Sequence, residues 1–367
     1  MIATDTMHID VKKIKRSRLS EIDWKKLGFG NYFSDHMFVA DFTGGQSGEK
    51  RDPSSGGWKS PRIIPYGKFE VSPALSALHY GQSIFEGMKA YRYANGDVFM
   101  FRPLENLKRF NISAERMAMA TVPEDLFMEA LQQLVRLDAN WVPKEEGCSL
   151  YIRPLLFATE EHIGVKISSN YTLIIMTSPV AAYYSEPLKV LVETKYTRAV
   201  PGGVGFAKTA GNYGRSHYPT RLAQQKGYNQ LIWTDGFEHK YLEESGTMNV
   251  MCVINNTLIT PGLHDTILAG ITRDSVITVA KDLGIKVEER KISVDELVEG
   301  HKKGTLQEIF GVGTAATIAP INLFGCNGKD LELSPITAKN VGSRIKKQLD
   351  DIRTGKTADK HGWMYKV

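Results

Sequence analysis

Tyr171-Thr-Leu-Ile-Ile-Met-Thr-Ser-Pro-Val-Ala-Ala-Tyr-Tyr-Ser-Glu-Pro-Leu-Lys-Val-Leu-Val-Glu193 is the stretch on which the fold turns. Tyr171–Thr177 reads as a buried strand, because its apolar run is short and rich in branched side chains. Thr172, Thr177, Ser178 and Pro179 interrupt the longer apolar stretch, so it falls short of the ~18 residues that a membrane helix needs. At Ala181–Pro187 the composition shifts, and Leu188–Glu193 restarts as a strand. A break of this kind marks a connection between domains. The expected division is a smaller N-terminal α+β domain over 1–181, a connection over 182–187, and a larger C-terminal domain over 188–367. At ~150 residues per domain, 367 residues suit two domains.

Upstream, strands are expected at Phe38–Phe42, Lys68–Val71 and Met88–Arg92. Val98–Phe101 follows the turn Asn95-Gly96-Asp97 and completes a hairpin. Asn106–Met119 reads as a helix. Thr121-Val-Pro-Glu124 resembles a capping box before a helix with Leu126, Phe127, Ala130, Leu131, Leu134 and Leu137 on one face. Ser149–Leu156 is another buried strand. Downstream, helices are expected at Tyr213–Lys226, stopped by Gly227, and at Thr272–Leu283, Val294–Lys303 and Thr337–Ile352. Strands are expected at Gln230–Trp233, at Asn249–Thr260 with a turn at Asn255-Asn256, and at Leu306–Gly311. Strands and helices mix without strict βαβ alternation, so the fold class is α+β.

Composition excludes several functions. Apolar residues make up 42%, enough to build a core and exclude wholesale disorder. The net charge of +5 is too small for this length to imply nucleic acid. The one basic cluster, Lys12, Lys13, Lys15, Arg16 and Arg18, is flanked by acids and reads as a solvated face. Cys148, Cys252 and Cys326 form no Cys-x-x-Cys, so neither a disulfide scaffold nor a structural metal site is expected. No secretory segment follows Met1, and the expected location is the cytoplasm. No G-x-G-x-x-G or Gly-x-Ser-x-Gly occurs, and Gly355-Lys356-Thr357 lacks the first Gly of a phosphate loop.

Separated segments remain that carry chemistry. They are Tyr80-Gly-Gln-Ser-Ile-Phe-Glu-Gly-Met-Lys-Ala-Tyr91 with Phe101-Arg-Pro-Leu-Glu-Asn-Leu-Lys-Arg109, then Tyr151-Ile-Arg-Pro154. Next come Lys208-Thr-Ala-Gly-Asn-Tyr213 and Leu242-Glu-Glu-Ser-Gly-Thr-Met-Asn249, then Gly270-Ile-Thr-Arg-Asp-Ser275 and Gly311-Val-Gly-Thr-Ala315. In this order and spacing they resemble the branched-chain aminotransferases, fold-type-IV enzymes that use pyridoxal 5′-phosphate. The resemblance runs from Phe33-Ser-Asp-His-Met37 to His361-Gly-Trp363.

The resemblance implies a homodimer with a two-domain fold-type-IV architecture. Its implied activity is the reversible exchange of amino groups between leucine, isoleucine or valine and 2-oxoglutarate, giving glutamate. Lys208 is the implied catalytic residue, since an amine is needed to hold an aldehyde cofactor and then to move a proton. Residue chemistry alone does not separate Glu243 from Glu244 as the acid for the ring nitrogen; the family pattern selects Glu244, leaving Glu243 as an outward strand residue. Tyr213 and Thr247 are further implied cofactor contacts. Arg109, Ile271, Thr272 and Thr314 would cradle the phosphate, by guanidinium fork, helix start and hydroxyl. Gly270, Gly311 and Gly313 would let backbone approach the ligand.

For the substrate, the resemblance implies an apolar, aromatic pocket of Phe33, Phe85, Tyr151, Tyr213, Thr247 and Ala315, with Tyr80 supplied by the neighbouring subunit. The α-carboxylate would meet Thr314, Ala315 and the Tyr151 hydroxyl. Arg153 has two readings, a receiver for the distal carboxylate of glutamate or a structural salt bridge. Ala316 and Ala319 stand where animal members carry a Cys-x-x-Cys, so no thiol switch is expected there. A D-amino-acid aminotransferase, an aminodeoxychorismate lyase and a silent binding protein are the competing readings on the same scaffold. Tyr151-Ile-Arg-Pro154 and the aromatic set argue against the first two.

Overall fold

The computed structural model describes residues 8–47, 50–181, 183–184 and 186–367, with the side chains of 45–55 left aside. Two of the residues expected to connect domains, Ala182 and Ser185, lie outside the described set. The chain divides into two compact units. One runs to Ala182 and takes in Lys208–Ala210 and Asp359–Val367; the other is Tyr183–Ala207 with Gly211–Ala358.

In the first unit β1 (Asp10–Val11), β2 (His36–Ser47) and β3 (Lys50–Pro65) precede α1 (Ser76–Tyr80) and the short β4 (Ser83–Phe85). β5 (Met88–Arg92) and β6 (Val98–Phe101) form the expected hairpin, with Ala90 opposite Met100. Then come α2 (Pro103–Arg116), α3 (Glu124–Leu137), β7 (Ser149–Ala158) and β8 (Asn170–Val180). The sheet order is β1-β3-β2-β8-β7-β5-β6, with β4 beside β7. β8 lies between β2 and β7, and this central place accounts for the unbroken burial of Tyr171–Ile175. Leu107, Phe110 and Ala114 of α2 and Leu126, Phe127, Ala130, Leu131 and Leu134 of α3 bury against this sheet. Burying one such side chain stabilises the fold by about 1.5–3 kcal/mol.

Three expectations change here. Lys68–Val71 is not a strand; the residues that pair with β2 are those of β3. Pro123, not Thr121, precedes the first turn of α3, and no side chain caps that helix; the Thr121 carbonyl instead accepts from Trp58 Nε1 at 2.9 Å. The basic cluster is exposed at Lys12, Lys13, Lys15 and Arg16, but Arg18 is half-buried beside Asp35.

The second unit begins with β9 (Leu188–Val192). The expected helix from Tyr213 is split into α4 (Gly211–Gly214) and α5 (His217–Gln225). β10 (Gln230–Thr234), β11 (Leu242–Ser245), β12 (Met248–Ile254) and β13 (Thr257–Thr260) follow, then α6 (Ile271–Asp282), β14 (Lys286–Glu289) and α7 (Val294–Lys302). β15 (Leu306–Gly313), β16 (Thr317–Cys326), β17 (Lys329–Glu332) and α8 (Val341–Arg353) complete it. Asn255 and Asn256 both take positive φ, 49° and 58°, the geometry of a tight hairpin turn between β12 and β13. The order is β11-β10-β9-β16-β15-β12-β13-β14, and β11 also pairs with β12. β11, β10, β9, β16, β15 and β12 therefore close on themselves as a ring.

A cut at 182–187 would leave two stretches in the wrong unit. Lys208–Ala210 counts with the first because it pairs with β4: the Phe85 N–H donates to the Lys208 carbonyl at 3.1 Å, and the Ala210 N–H to the Ser83 carbonyl at 3.0 Å. The last strand, β18 (Met364–Lys366), pairs with β6, so 359–367 count there as well. The PLP lysine expected in the C-terminal domain is thus part of the first unit.

Candidate active site

Lys208 is fixed through its backbone. Its N–H donates to Ser113 Oγ at 2.9 Å, and its carbonyl accepts from Phe85. The half-buried side chain brings Nζ to 4.9 Å from the centroid of the Phe85 ring. The guanidinium of Arg153 also lies over that ring, at 4.6 Å, and over the Tyr151 ring at 5.2 Å. Phe85 is thus flanked by two cationic side chains, an arrangement its π face favours.

The three residues of Phe85-Glu86-Gly87 divide the work of this corner. Glu86 is fully buried and grips Arg109 along one edge, Nε to Oε1 at 2.7 Å and Nη2 to Oε2 at 2.8 Å. Arg109 thereby keeps a set orientation, although it is only 7% exposed. Gly87 makes room for Tyr151: a Cβ there would lie 2.0 Å from the Tyr151 hydroxyl. That hydroxyl accepts from Arg153 Nη2 at 3.1 Å, and the Tyr151 ring meets Phe29 edge-on at 4.9 Å. Arg153 makes no ion pair among the described residues, against the salt-bridge reading, and its Nε is buried without a partner. Phe33 stacks on Tyr66 at 4.6 Å, and Arg18 covers the other ring of that pair at 5.3 Å. Tyr80 is exposed at the end of α1.

In the second unit Glu244 is buried on β11, opposite Trp233 of β10 and Asn249 of β12. Its Oε1 accepts the Leu268 N–H at 2.8 Å and lies 3.3 Å from Arg198 Nη2. Thr247 is exposed in the turn Gly246-Thr247, where Gly246 takes φ +59°. Asn249 Nδ2 donates to the Leu268 carbonyl at 2.9 Å. Glu244 and Asn249 so hold one loop from both sides, and that loop leads into α6. Ile271 and Thr272 are its first residues, and no side chain caps its N-terminus. The first turn of a helix and its dipole suit an anion. Thr314 and Ala315 are half-buried in the turn between β15 and β16, and Tyr213 is half-buried in α4.

One expectation is corrected. Glu243 is buried, not outward: its Oε1 accepts from the Thr266 hydroxyl at 2.5 Å, and burial pushes its pKa up to about 7. Two of the glycines lie close against neighbouring side chains. A Cβ on Gly311 would lie 2.5 Å from Met248 Cε, and one on Gly270 1.9 Å from Asn249 Oδ1.

Each unit by itself carries groups whose chemistry suits part of a phosphorylated pyridine aldehyde. The first has an amine anchored at its backbone and an oriented arginine; the second has a buried carboxylate beside a cation and the start of a helix. Glu86, Ser113, Arg198 and Asn249 were missed as functional positions. Glu86 and Asn249 stand inside the quoted motifs, and a lone acid or amide among strand residues was the available signal.

The sequence matches the amino-transferase class IV family over residues 83–324. It is 45% identical to branched-chain-amino-acid transaminase 1 of Bacillus subtilis over 349 residues, which covers 94% of this chain and 95% of that protein. Among solved structures it resembles the Escherichia coli branched-chain amino acid aminotransferase, with 31% identity, a TM-score of 0.70, and coverage of 83% of this chain and 96% of that one. It also resembles the T.th. branched-chain amino acid aminotransferase complexed with N-(5′-phosphopyridoxyl)-L-glutamate, with 26% identity, a TM-score of 0.69, and coverage of 89% and 97%.

Proposed function

We propose how work is divided among the residues of this chain, which belongs to the amino-transferase class IV family and, within it, to the branched-chain-amino-acid aminotransferases. Its activity is the reversible transfer of the amino group of leucine, isoleucine or valine to 2-oxoglutarate. Its cofactor is pyridoxal 5′-phosphate, which when bound supplies an aldehyde for the amino group and a ring that draws electrons from the substrate Cα.

Lys208 is the catalytic residue of this reading. Its Nζ holds the cofactor and then moves the proton at the substrate Cα. The observation that carries the assignment is its anchorage: Ser113 and Phe85 hold the lysine backbone on both sides, so its reach is short and directed. Glu244 is the acid for the ring nitrogen, held by the Leu268 N–H and beside Arg198. Tyr213 and Thr247 are further cofactor contacts. Arg109, Ile271, Thr272 and Thr314 receive the phosphate.

Substrate selection falls to Phe33, Phe85, Tyr151 and Tyr80. One methylene is worth only about 1–3 kcal/mol, so all three branched substrates react. Thr314, Ala315 and Tyr151 orient the α-carboxylate. Arg153 receives the distal carboxylate of glutamate, a role supported by its place beside Tyr151 and Phe85 with no ion pair among the described residues. A homodimer fits the exposure of Tyr80 at its end of α1, and light scattering tests it. Residence in the cytoplasm is supported by three free cysteines and is tested by cell fractionation.

The test is a visible absorbance spectrum taken before and after adding leucine. The wild-type protein should show a cofactor band that leucine shifts. Lys208→Ala should lose the band and at least about 10³-fold in kcat. A variant that keeps both the band and full turnover overturns the assignment.

A further inference from the structure

The turn between β15 and β16 is built on a residue that should not favour its place. Gly313 pairs with Thr317, and Thr314, Ala315 and Ala316 form the loop between them. Thr317 takes φ +62°. A β-branched residue in the left-handed region is an outlier, because its Cβ crowds the backbone; glycine is the usual occupant. Backbone in such a state persists only where its surroundings over-determine it.

Helix α8 supplies that restraint. Glu308 on β15 caps its first turn, accepting the Val341 N–H at 2.6 Å and the Gly342 N–H at 2.9 Å. At the other end Arg353, 2% exposed, donates from Nη1 to Thr317 Oγ1 at 2.9 Å. The helix is therefore tied at one end to β15 and at the other to the first residue of β16. Glycine at 317 would satisfy the backbone but offer Arg353 no acceptor.

We propose that Thr317 and Arg353 are positioning residues for the anion-binding turn. Arg353 holds Thr317 in its left-handed state, and that state aims the backbone of Thr314 and Ala315 at the substrate carboxylate. The inference rests on the reading above that this turn binds carboxylate and phosphate.

The test is the dissociation constant of 4-methylpentanoate, the leucine skeleton without its amine, measured by calorimetry on the cofactor-loaded protein. Thr317→Val keeps the branch and removes the acceptor; it should bind about tenfold more weakly. Arg353→Met should do the same. Thr317→Gly should bind like wild type, because glycine adopts the left-handed state unaided. Adding Thr317→Gly to Arg353→Met should restore binding, which guards against a single variant that merely folds poorly. Glycine failing to rescue, or Thr317→Val binding like wild type, overturns the inference. Thr314→Ala separates it from the reading beneath: an unchanged cofactor dissociation constant there means that the reading of the turn has failed.

Discussion

Glu86 shows how much one buried acid can decide. It is fully buried, and its partner Arg109 nearly so. Removing one member of such a pair leaves an uncompensated charge, at a cost of about 3–5 kcal/mol. Glu86→Gln should lower the melting temperature by several degrees and weaken cofactor retention, read by scanning calorimetry and by dialysis. Gly87→Ala is a subtler probe. Its Cβ would displace the Tyr151 hydroxyl, so KM for leucine should rise about tenfold or more while the fold survives. Steady-state kinetics with a parallel thermal melt checks both halves. Glu243 gives a pH signature. Its pKa rises on folding from the ordinary carboxylate value to about 7, so the folded state binds its proton more tightly than the unfolded state. Stability from this group is present below the unfolded value and is lost as pH rises through about 7. Glu243→Gln should therefore match wild type near pH 4.5 and exceed it at pH 8, by on the order of 3 kcal/mol, in denaturant titrations at the two pH values.

At the scale of elements, the loop leading into α6 is held by Glu244 and Asn249, which face one another across β11 and β12. Gly270→Ala puts a methyl group against Asn249 Oδ1 and should disturb the first turn of α6. The expected result is a cofactor dissociation constant raised about tenfold, measured by fluorescence titration, with little change in secondary structure by circular dichroism. The hydrophobic faces of α3 and β8 were legible in the sequence because period and burial coincide there: Leu126, Phe127, Ala130, Leu131 and Leu134 are spaced as a helix face and all are buried. The start of α3 was not legible, because Thr121 found another use as acceptor for Trp58. β3 was missed for a related reason. Its Pro, Ser and Gly residues have low strand propensity, and pairing with β2 makes them a strand here. Motif residues such as Lys208 and Glu244 could be nominated from the family resemblance. Arg198, which carries no pattern of its own, needed the fold to bring it beside Glu244.

At the scale of the whole molecule, the chemistry sets the kinetics. One cofactor serves an amino donor and an oxo-acid acceptor in turn, so double-reciprocal plots for leucine at fixed 2-oxoglutarate concentrations should be parallel. Intersecting lines would mean that both substrates bind together. Two compact units could be proposed from a change of composition near 182, but no local pattern announced which unit owns residues 208–210 or 359–367. Strand pairing assigns them: 208–210 beside β4 and 364–366 beside β6.

That last pairing bears on how the protein is born. The ribosome delivers 183–358 before it delivers the strand that finishes the first sheet. The leading unit must wait with an open edge at Val98–Phe101 while the trailing one is still being made. Nascent chains stalled short of residue 359 should consequently recruit holding chaperones more strongly than chains that have also exposed residues 359–367.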